Sequence, residues 1–366
     1  MTMRYAWKEI TFEKRKYILI ELLLILLMFM VLFLSGLASG LARDVSSAIE
    51  STDADWYIVD ESAEKLITVS TVETGSLDKL RSDGFEAAPL DIRRMNISRL
   101  GEDEKLDVTF FAVEPGSFIE PEVMEGRSLS VADAANPVLL DDNLKAEGIS
   151  VGDKVVVPTV DIEFTVVGFV KDRMYGHTSV AYITTDCFTD LCRLLNPMYE
   201  PEYHAIAVRG DNKPDAGSDK YETVSKNDII QKLPGYAAEQ LTVTMIVWVL
   251  VIVSAVIIGI FNYIITLHKR RQYGVMKAIG LSSAELAGMV ISEVCIISVF
   301  AAVVSFALTF GMAAGMPEKM PFYLKVPNAL IVTAAFVAIS VLSSLISVIN
   351  ISHIDPIIAI GGADNE

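Results

Sequence analysis

The sequence is poor in the residues that build catalytic and metal sites. Its 366 residues include only three cysteines and four histidines, and none of them shows the spacing of a metal-ligand cluster. It has no glycine-rich phosphate loop and no recognisable pairing of a nucleophile with a base. The sequence therefore predicts a protein that is not an enzyme, that has no intrinsic cofactor or metal, and that depends on a partner for any ATP hydrolysis.

Two of the cysteines, Cys187 and Cys192, lie five residues apart in a hydrophilic segment. They could pair if that segment is exported, because disulfides persist in oxidising compartments. The same spacing is equally natural for two core positions of one helix, which is the interpretation we favour.

Apolar residues are abundant: 52% of the chain is hydrophobic and the mean hydropathy is +0.44. A soluble domain of this length needs less, so the excess is expected in a bilayer. A helix must be about 20 residues long to cross the hydrocarbon core. Four runs are long enough, and two of them contain a single charge: 17–41 with Glu21, 241–267, 286–314 with Glu293, and 326–352. The first run is too long for a signal peptide, so we expect an uncleaved anchor.

The net charge of −17 is unevenly distributed along the chain. Residues 43–240 carry 38 Asp and Glu against 19 Lys and Arg, whereas residues 1–16 carry five basic and two acidic residues. Basic clusters mark the cytoplasmic ends of membrane helices, here Lys14–Lys16 and His268–Arg271. Both termini are therefore expected in the cytoplasm of a multi-pass cell-membrane protein, and the acidic segment gives no reason to expect a nucleic-acid partner.

This topology divides the chain into nine segments. They are a cytoplasmic amphipathic arm (1–16), the first span (17–41), an extracytoplasmic domain (42–240), the second span (241–267), a cytoplasmic loop (268–285), the third span (286–314), a short external loop (315–325), the fourth span (326–352) and a cytoplasmic tail (353–366).

The hydrophilic segment alternates strand-like and helical patterns. Strand-like runs occur at 154–158, 163–169 and 179–183, and helical patches at 76–82 and 186–195. The predicted fold is a membrane protein with four transmembrane α-helices and a large α+β extracytoplasmic domain between helices 1 and 2.

The segment from Lys269 to Leu286 combines a basic start, a short amphipathic helix and a glycine. Val275, Met276 and Ile279 are predicted to share one face, suited to a groove on a partner or to lipid. Gly280 is expected to end this helix in the left-handed conformation, and Ser282 or Ser283 to cap the next one.

This loop resembles that of the MacB/FtsX-type ABC transporter permeases. The closing segment 354–360 and the phrases 148–154 and 164–168 resemble the same family, in the same order. The resemblance implies two permease copies with two ABC ATPase subunits and a MacB-like external domain. It also implies an ATPase-coupling surface, formed by Arg270, Arg271, Val275, Met276, Ile279 and Gly280.

Four further phrases, at 6–9, 36–43, 175–178 and 234–236, resemble the haem-exporting members of that family. The resemblance implies that haem is the transported substrate. Export of another amphiphile, such as a lipid, peptide or drug, stays open, as does FtsX-like mechanotransmission to an external partner. A signal receptor is a further alternative, but it would carry a cytoplasmic output domain, for which the sequence offers no candidate.

The first span carries a polar stripe at helical spacing, which includes Glu21 and Met28. We predict that this stripe contacts a second copy of the chain, with Gly36 and Gly40 allowing close helix packing. Haem is then expected between the two copies, lined by Glu21 and Met28.

Tyr175, His177 and Tyr236 are expected nearer to the exit of this route. Thioether, carboxylate, imidazole and phenolate groups can all ligate haem iron, and the sequence does not choose among them. Local structural roles remain alternatives for each of these residues. Glu293 is expected to pair with the cytoplasmic basic cluster.

Overall fold

The computed structural model describes residues 2–12, 14–317 and 320–352. The chain divides into two compact units. The helical unit is formed by the described parts of residues 1–40 and 241–366, and the inserted domain is Leu41–Gln240. The predicted closing motif, 354–360, and the predicted tail, 353–366, lie outside the described residues.

The α-helices of the described residues are, in chain order, α1 (Thr2–Phe12), α2 (Lys14–Glu50), α3 (Thr74–Ser82), α4 (Thr185–Leu195), α5 (Lys226–Lys232), α6 (Tyr236–His268), α7 (Arg270–Ala278), α8 (Ser283–Ala313) and α9 (Val326–Ser352). Four of them, α2, α6, α8 and α9, are long and apolar enough to cross a membrane. The structure thus confirms the four predicted spans and the large domain between the first and second.

Two of these helices extend beyond the predicted spans by five residues or more. Helix α2 continues from Leu41 to Glu50, and α6 begins at Tyr236 rather than Leu241. The extension of α2 is amphipathic, with Val45, Ala48 and Ile49 buried in the core of the inserted domain. Their spacing of three and four residues is that of one helix face. A span predicted from hydropathy ends where the apolar run stops, whereas the helix itself continues into polar or amphipathic sequence.

The strands all lie in the inserted domain: β1 (Trp56–Asp60), β2 (Val72–Glu73), β3 (Glu86–Arg99), β4 (Leu106–Val113), β5 (Val123–Gly126), β6 (Pro137–Asp141), β7 (Lys154–Val157), β8 (Ile162–Val170), β9 (Met174–Tyr175), β10 (Thr178–Thr184), β11 (Glu202–Tyr203), β12 (Ala205–Arg209) and β13 (Tyr221–Ser225). The main sheet runs in the order β13-β1-β12-β3-β4-β10-β6-β8-β5. Strands β3 and β4 pair antiparallel, whereas β4 and β10 pair parallel. The mixture of helices and strands is the predicted α+β class.

Alternating side chains of β4 belong to two different hydrophobic cores. In β4, Phe110 belongs to the core that contacts α4, whereas Phe111 belongs to the core that contains the end of α2. This alternation follows from the two-residue period of a strand. The sheet is therefore covered on both faces, and α2 reaches one of them.

Cys187 and Cys192 lie on α4, buried and unpaired. Thr184 caps the helix by accepting a hydrogen bond from the Cys187 backbone N–H at 3.2 Å. Burial raises the pKa of both thiols. Their interpretation as core positions of one helix is confirmed.

Candidate functional site

The segment after α6 forms the predicted short helix and turn. Gly280 adopts a positive φ of 105°, a conformation that favours glycine, and it follows the end of α7. Ser282 caps α8 by accepting a hydrogen bond from the Glu285 N–H at 3.2 Å, and the Glu285 carboxylate bonds back to the Ser282 N–H at 2.8 Å. Both sequence predictions for this turn are confirmed.

The prediction that Val275, Met276 and Ile279 share one face is corrected by the structure. Val275 and Ile279 are 45% and 73% exposed, whereas Met276 packs against Tyr273 and Leu286. The cause is the start of α8, which covers the side of α7 that carries Met276. The exposed apolar surface at the end of α7 is therefore formed by Val275 and by Ile279, which directly follows the helix and lies one turn beyond Val275.

Lys269, directly before α7, is only 3% exposed, although Arg270 and Arg271 beside it are exposed. Its ammonium lies 2.6 Å from a Glu9 carboxylate oxygen and 3.6 Å from one of Glu293. We call the group formed by Glu9, Tyr17, Lys269 and Glu293 the buried ionic cluster.

Tyr17 completes the buried ionic cluster. Its hydroxyl accepts a hydrogen bond from Lys269 at 2.8 Å and donates one to Glu293 at 3.0 Å. The four side chains come from α1, α2, α8 and the residue preceding α7. The predicted pairing of Glu293 with the basic cluster is confirmed, and Lys269 is its partner.

The neighbouring groups of the cluster shift the pKa of Glu9, which lies outside the membrane spans. Burial acts to raise the pKa of Glu9, but its hydrogen bonds with Glu293 and Lys269 outweigh burial and lower that pKa. The sequence did not reveal the roles of Glu9 and Tyr17. A usable signal was the lone Glu293 in its span, because such a carboxylate requires a partner.

The polar stripe of α2 faces its own chain. Met28 and Leu32 are fully buried in a core with Ile258 of α6 and Phe336 of α9. The hydroxyl of Ser305 on α8 donates a hydrogen bond to the backbone carbonyl of Ile25 at 2.8 Å. The prediction that this stripe contacts a second copy is therefore corrected, because α6, α8 and α9 of the same chain occupy it.

Glu21 lies on the same face of α2 and is half-buried. One of its carboxylate oxygens, Oε1, is buried without a hydrogen-bond partner among the described residues. An unpaired carboxylate oxygen inside a membrane helix is energetically costly and is commonly functional. Glu21 remains a candidate site residue, whereas Met28 has a packing role.

Gly36 and Gly40 contact a loop instead of another helix. A side chain at Gly36 would collide with the ring of Phe322, and one at Gly40 with the backbone of Pro321. The Tyr323 N–H donates a hydrogen bond to the Gly36 carbonyl at 3.0 Å. The predicted helix packing at these glycines is corrected: they admit the segment between α8 and α9.

The predicted exit residues belong to the inserted domain. Tyr175 is buried, with its ring 5.3 Å from that of Phe111, and burial raises the pKa of its hydroxyl. The His177 imidazole lies 3.2 Å from the Glu239 carboxylate near the start of α6. Tyr236 packs against the core that contains Tyr175.

The loop that carries Gly176 and His177 also holds the end of α2. Their N–H groups donate hydrogen bonds to the carbonyls of Val45 and Asp44, each at 3.0 Å. The loop thus joins α2 and the start of α6 within the inserted domain. No cluster of three or more His, Cys, Asp or Glu suited to a metal ion occurs in the described part of the chain.

Comparison with known proteins gives two family matches. The model of the MacB-like periplasmic core domain matches residues 18–219, and that of the FtsX-like permease C-terminal region matches residues 244–356. Together they cover most of the chain.

Several proteins are similar to this chain. One from Staphylococcus haemolyticus, named a candidate hemin transport system permease protein, HrtB, is 26% identical over 99% of this chain and 100% of its own length. Its namesake from Staphylococcus epidermidis is 27% identical over 98% of this chain and 99% of its own. The extracellular domain of the ABC-type transporter YknZ from Gram-positive bacteria matches 47% of this chain and 98% of its own, with 13% identity and a TM-score of 0.35.

Proposed function

Because the chain belongs to the MacB/FtsX-type family of ABC transporter permeases, we propose that it is the permease subunit of a haem exporter driven by a separate ATPase. One observation carries the choice of haem: similarity over 98–99% of the chain to relatives named as hemin transport permeases. In this proposal two permease copies assemble with two ATPase subunits. Haem leaves the membrane and is released outside the cell.

The orientation follows from the distribution of basic side chains. Arg270 and Arg271 are exposed at the start of α7, directly after α6, and Lys14 and Arg15 are exposed at the start of α2. Cytoplasmic ends of membrane helices are rich in such residues. The proposed orientation places α1 and α7 in the cytoplasm and the inserted domain outside.

Helix α7 is the proposed contact for the ATPase. Val275 and Ile279 offer two exposed apolar side chains one turn apart, and Arg270 and Arg271 add positive charge beside them. An amphipathic helix of this kind suits a groove on a partner. Gly280 contributes by ending the helix so that α8 can start.

Haem contact is proposed at Glu21, since its carboxylate has an oxygen without a partner among the described residues. Carboxylates are known ligands of iron in proteins. In the inserted domain, His177 is proposed to contact haem during release. Tyr175 and Tyr236 are proposed to act through the core that holds the loop of His177 in place.

The test is to purify the chain with its ATPase and measure ATP hydrolysis in the presence of haem, other porphyrins, lipids and peptides. We expect haem to change the rate and Glu21→Ala to remove this effect while basal hydrolysis persists. A full response in Glu21→Ala would exclude this residue. A response to another amphiphile and none to haem would overturn the choice of cargo.

One observation favours a second function, FtsX-like mechanotransmission: α2 continues without a break to Glu50, within the core of the inserted domain. A movement of that helix would reach the domain directly. This function predicts an external partner enzyme that binds residues 41–240 and is activated by ATP hydrolysis. Activation of such an enzyme without haem movement would favour it over export.

A further inference from the structure

A cavity of the inserted domain is lined mainly by charged side chains. It encloses about 360 Å³ and lies where the end of α2, the start of β5 and the loop between β8 and β9 meet. Its charged and exposed lining residues are Arg43, Glu122, Met124, Lys171, Asp172 and Arg173. Three cations thus face two carboxylates around one space, and all of these residues belong to the inserted domain.

Most of these charges are not paired with one another. The Arg43 guanidinium lies 3.2 Å from the Asp172 carboxylate. Lys171, Arg173 and Glu122, by contrast, form no ion pair with any residue that the structure describes. The Arg173 guanidinium instead donates a hydrogen bond to the Lys171 carbonyl at 3.1 Å. The cavity therefore presents two cations and one carboxylate that are available to a ligand.

The loop that carries the two cations is held in place by its backbone. The N–H of Arg173 donates a hydrogen bond to the Asp141 carboxylate at 2.5 Å, and the N–H of Asp172 donates one to the Asp142 carboxylate at 3.0 Å. These two acidic neighbours are thus engaged by the backbone of the loop. Because the loop is already ordered, a ligand that binds its side chains avoids most of the entropic cost of fixing it.

The position of Arg43 on α2 gives the depth of the cavity. The apolar run 17–41 is about 37 Å long as a helix, which exceeds the hydrocarbon core of roughly 30 Å but not the full bilayer of about 40–45 Å. The run therefore ends among the lipid headgroups, and Arg43 follows it directly after Ala42. The Met174 N–H donates a hydrogen bond to the Ser47 hydroxyl of α2 at 2.9 Å, which attaches the loop to the same helix.

We propose that this cavity binds the headgroup of an ethanolamine phospholipid from the leaflet on the side of the inserted domain. Lys171 and Arg173 bind its phosphate, because ammonium and guanidinium groups form strong charge-assisted hydrogen bonds with phosphate oxygens. Glu122 accepts hydrogen bonds from its ammonium group. Met124, which is 50% exposed at the rim, contacts the glycerol end of the lipid.

The lining favours a headgroup over a porphyrin. A porphyrin is a flat apolar ring, whereas no aromatic side chain lines this cavity in the described part of the chain. The inference therefore goes beyond the proposed function and does not depend on the identity of the cargo. A lipid bound here connects the loop, and through Ser47 the outer part of α2, to the headgroup layer.

The experiment titrates the full chain in detergent with phosphatidylethanolamine and measures the apparent dissociation constant by native mass spectrometry. We expect Lys171→Gln/Arg173→Gln to weaken binding about tenfold, since two charge-assisted hydrogen bonds are lost. Lys105→Gln/Lys213→Gln is the matched control, because it removes the same charge from exposed positions of the inserted domain outside the cavity. Equal affinity in the two double variants would overturn the site.

A second variant tests the assigned headgroup. Glu122→Gln, at an exposed position, should abolish the preference for phosphatidylethanolamine over phosphatidylcholine, whose quaternary ammonium cannot donate a hydrogen bond. A preference that persists in this variant would overturn the role of Glu122 and the choice of ethanolamine.

Glycerophosphoethanolamine, which has the same headgroup without acyl chains, separates a lipid from a soluble phosphate ester. We expect it to bind the unmodified chain far more weakly than the lipid, because the cavity at headgroup depth is supplied from the bilayer. Binding as tight as that of the lipid would overturn the assignment to a phospholipid.

Discussion

At the residue scale, the main finding is a buried ammonium held by side chains of three helices. Lys269 follows α6 directly, in a run of basic residues that suggests a solvated surface. Instead its side chain contacts Glu9, Tyr17 and Glu293. The residue that starts the proposed ATPase-binding segment is thus fixed to α1, α2 and α8.

We predict that Lys269→Met strongly destabilises the chain. Removing one partner of a buried ion pair leaves an uncompensated charge and costs about 3–5 kcal/mol. Thermal unfolding in detergent measures the effect, with the exposed Lys8→Met as control. The double variant Glu9→Gln/Lys269→Met should recover much of the loss. A double variant as unstable as the single one would show that the cluster is not coupled in this way.

Asp141 provides a prediction on pH dependence. It is fully buried in the inserted domain, where it accepts hydrogen bonds from the Arg173 N–H and the Ser179 hydroxyl at 2.5 and 3.2 Å. Burial raises its pKa to about 6, despite these hydrogen bonds. Because the folded state holds this proton more tightly than the unfolded state, its stabilising contribution is present at low pH and is lost as the pH rises through about 6.

The expected loss is ~3 kcal/mol between about pH 4 and pH 7. Denaturant unfolding of residues 41–240 across this range measures it. Asp141→Asn should flatten the profile in this interval, although it also lowers stability by disturbing the Arg173 hydrogen bond. If Asp141→Asn shows the same pH dependence of stability as the unmodified domain, other groups cause that dependence.

At the element scale, the periodicity of α2 predicts which face of the helix is buried but not which part of the assembly covers that face. The stripe through Glu21 and Met28 was correctly identified as a contact face. Periodicity does not tell whether the contact is another helix of the same chain or a second copy, because both bury the same residues. The glycines gave a similar ambiguity, since Gly36 and Gly40 permit close approach by a loop as well as by a helix.

The fold itself was more predictable than the site. Long apolar runs specify membrane helices because the bilayer allows few alternatives. The strand-like runs at 154–158, 163–169 and 179–183 correctly predicted β7, β8 and β10. The pairing of Glu293 with the basic cluster was predictable from the sequence, whereas the contributions of Glu9 and Tyr17 were not, because these residues are far from Lys269 and Glu293 in sequence.

Substitution of Gly36 by alanine is predicted to change stability in the direction opposite to that of an ordinary helical glycine. Replacing a helical glycine by alanine normally stabilises a helix by up to about 1 kcal/mol. Gly311→Ala on α8 should do so, because nothing lies within 4 Å of the added carbon. Gly36→Ala should destabilise instead, since Phe322 must move. Thermal unfolding of the two variants compares them, and an equal gain in both would contradict the observed loop contact.

The two sides of α7 should respond differently to substitution. Val275→Asp and Ile279→Asp leave the core intact, so we expect normal stability and loss of co-purification with the ATPase. Met276→Asp places a charge against Tyr273 and Leu286, so it should lower stability first. Normal ATPase binding by the Val275 and Ile279 variants would place the contact elsewhere.

At the scale of the whole molecule, the chain is a multi-pass permease whose first membrane-spanning helix, α2, continues into the inserted domain. The ATPase surface proposed on α7 is connected through Lys269 to α2, and α2 carries Glu21 and ends in the core of that domain. Helix α2 therefore carries the proposed cargo contact and continues into the inserted domain, and Lys269 joins this helix to the proposed ATPase surface.

The most direct test is ATP-dependent haem transport in proteoliposomes that contain the chain and its ATPase. Haem is loaded into the membrane, and its transfer to an apoprotein acceptor on the side of the inserted domain is followed by absorbance. The account predicts transfer that requires ATP and falls strongly in Glu21→Ala complexes that still hydrolyse ATP. Hydrolysis by the intact complex without any haem transfer would contradict the account.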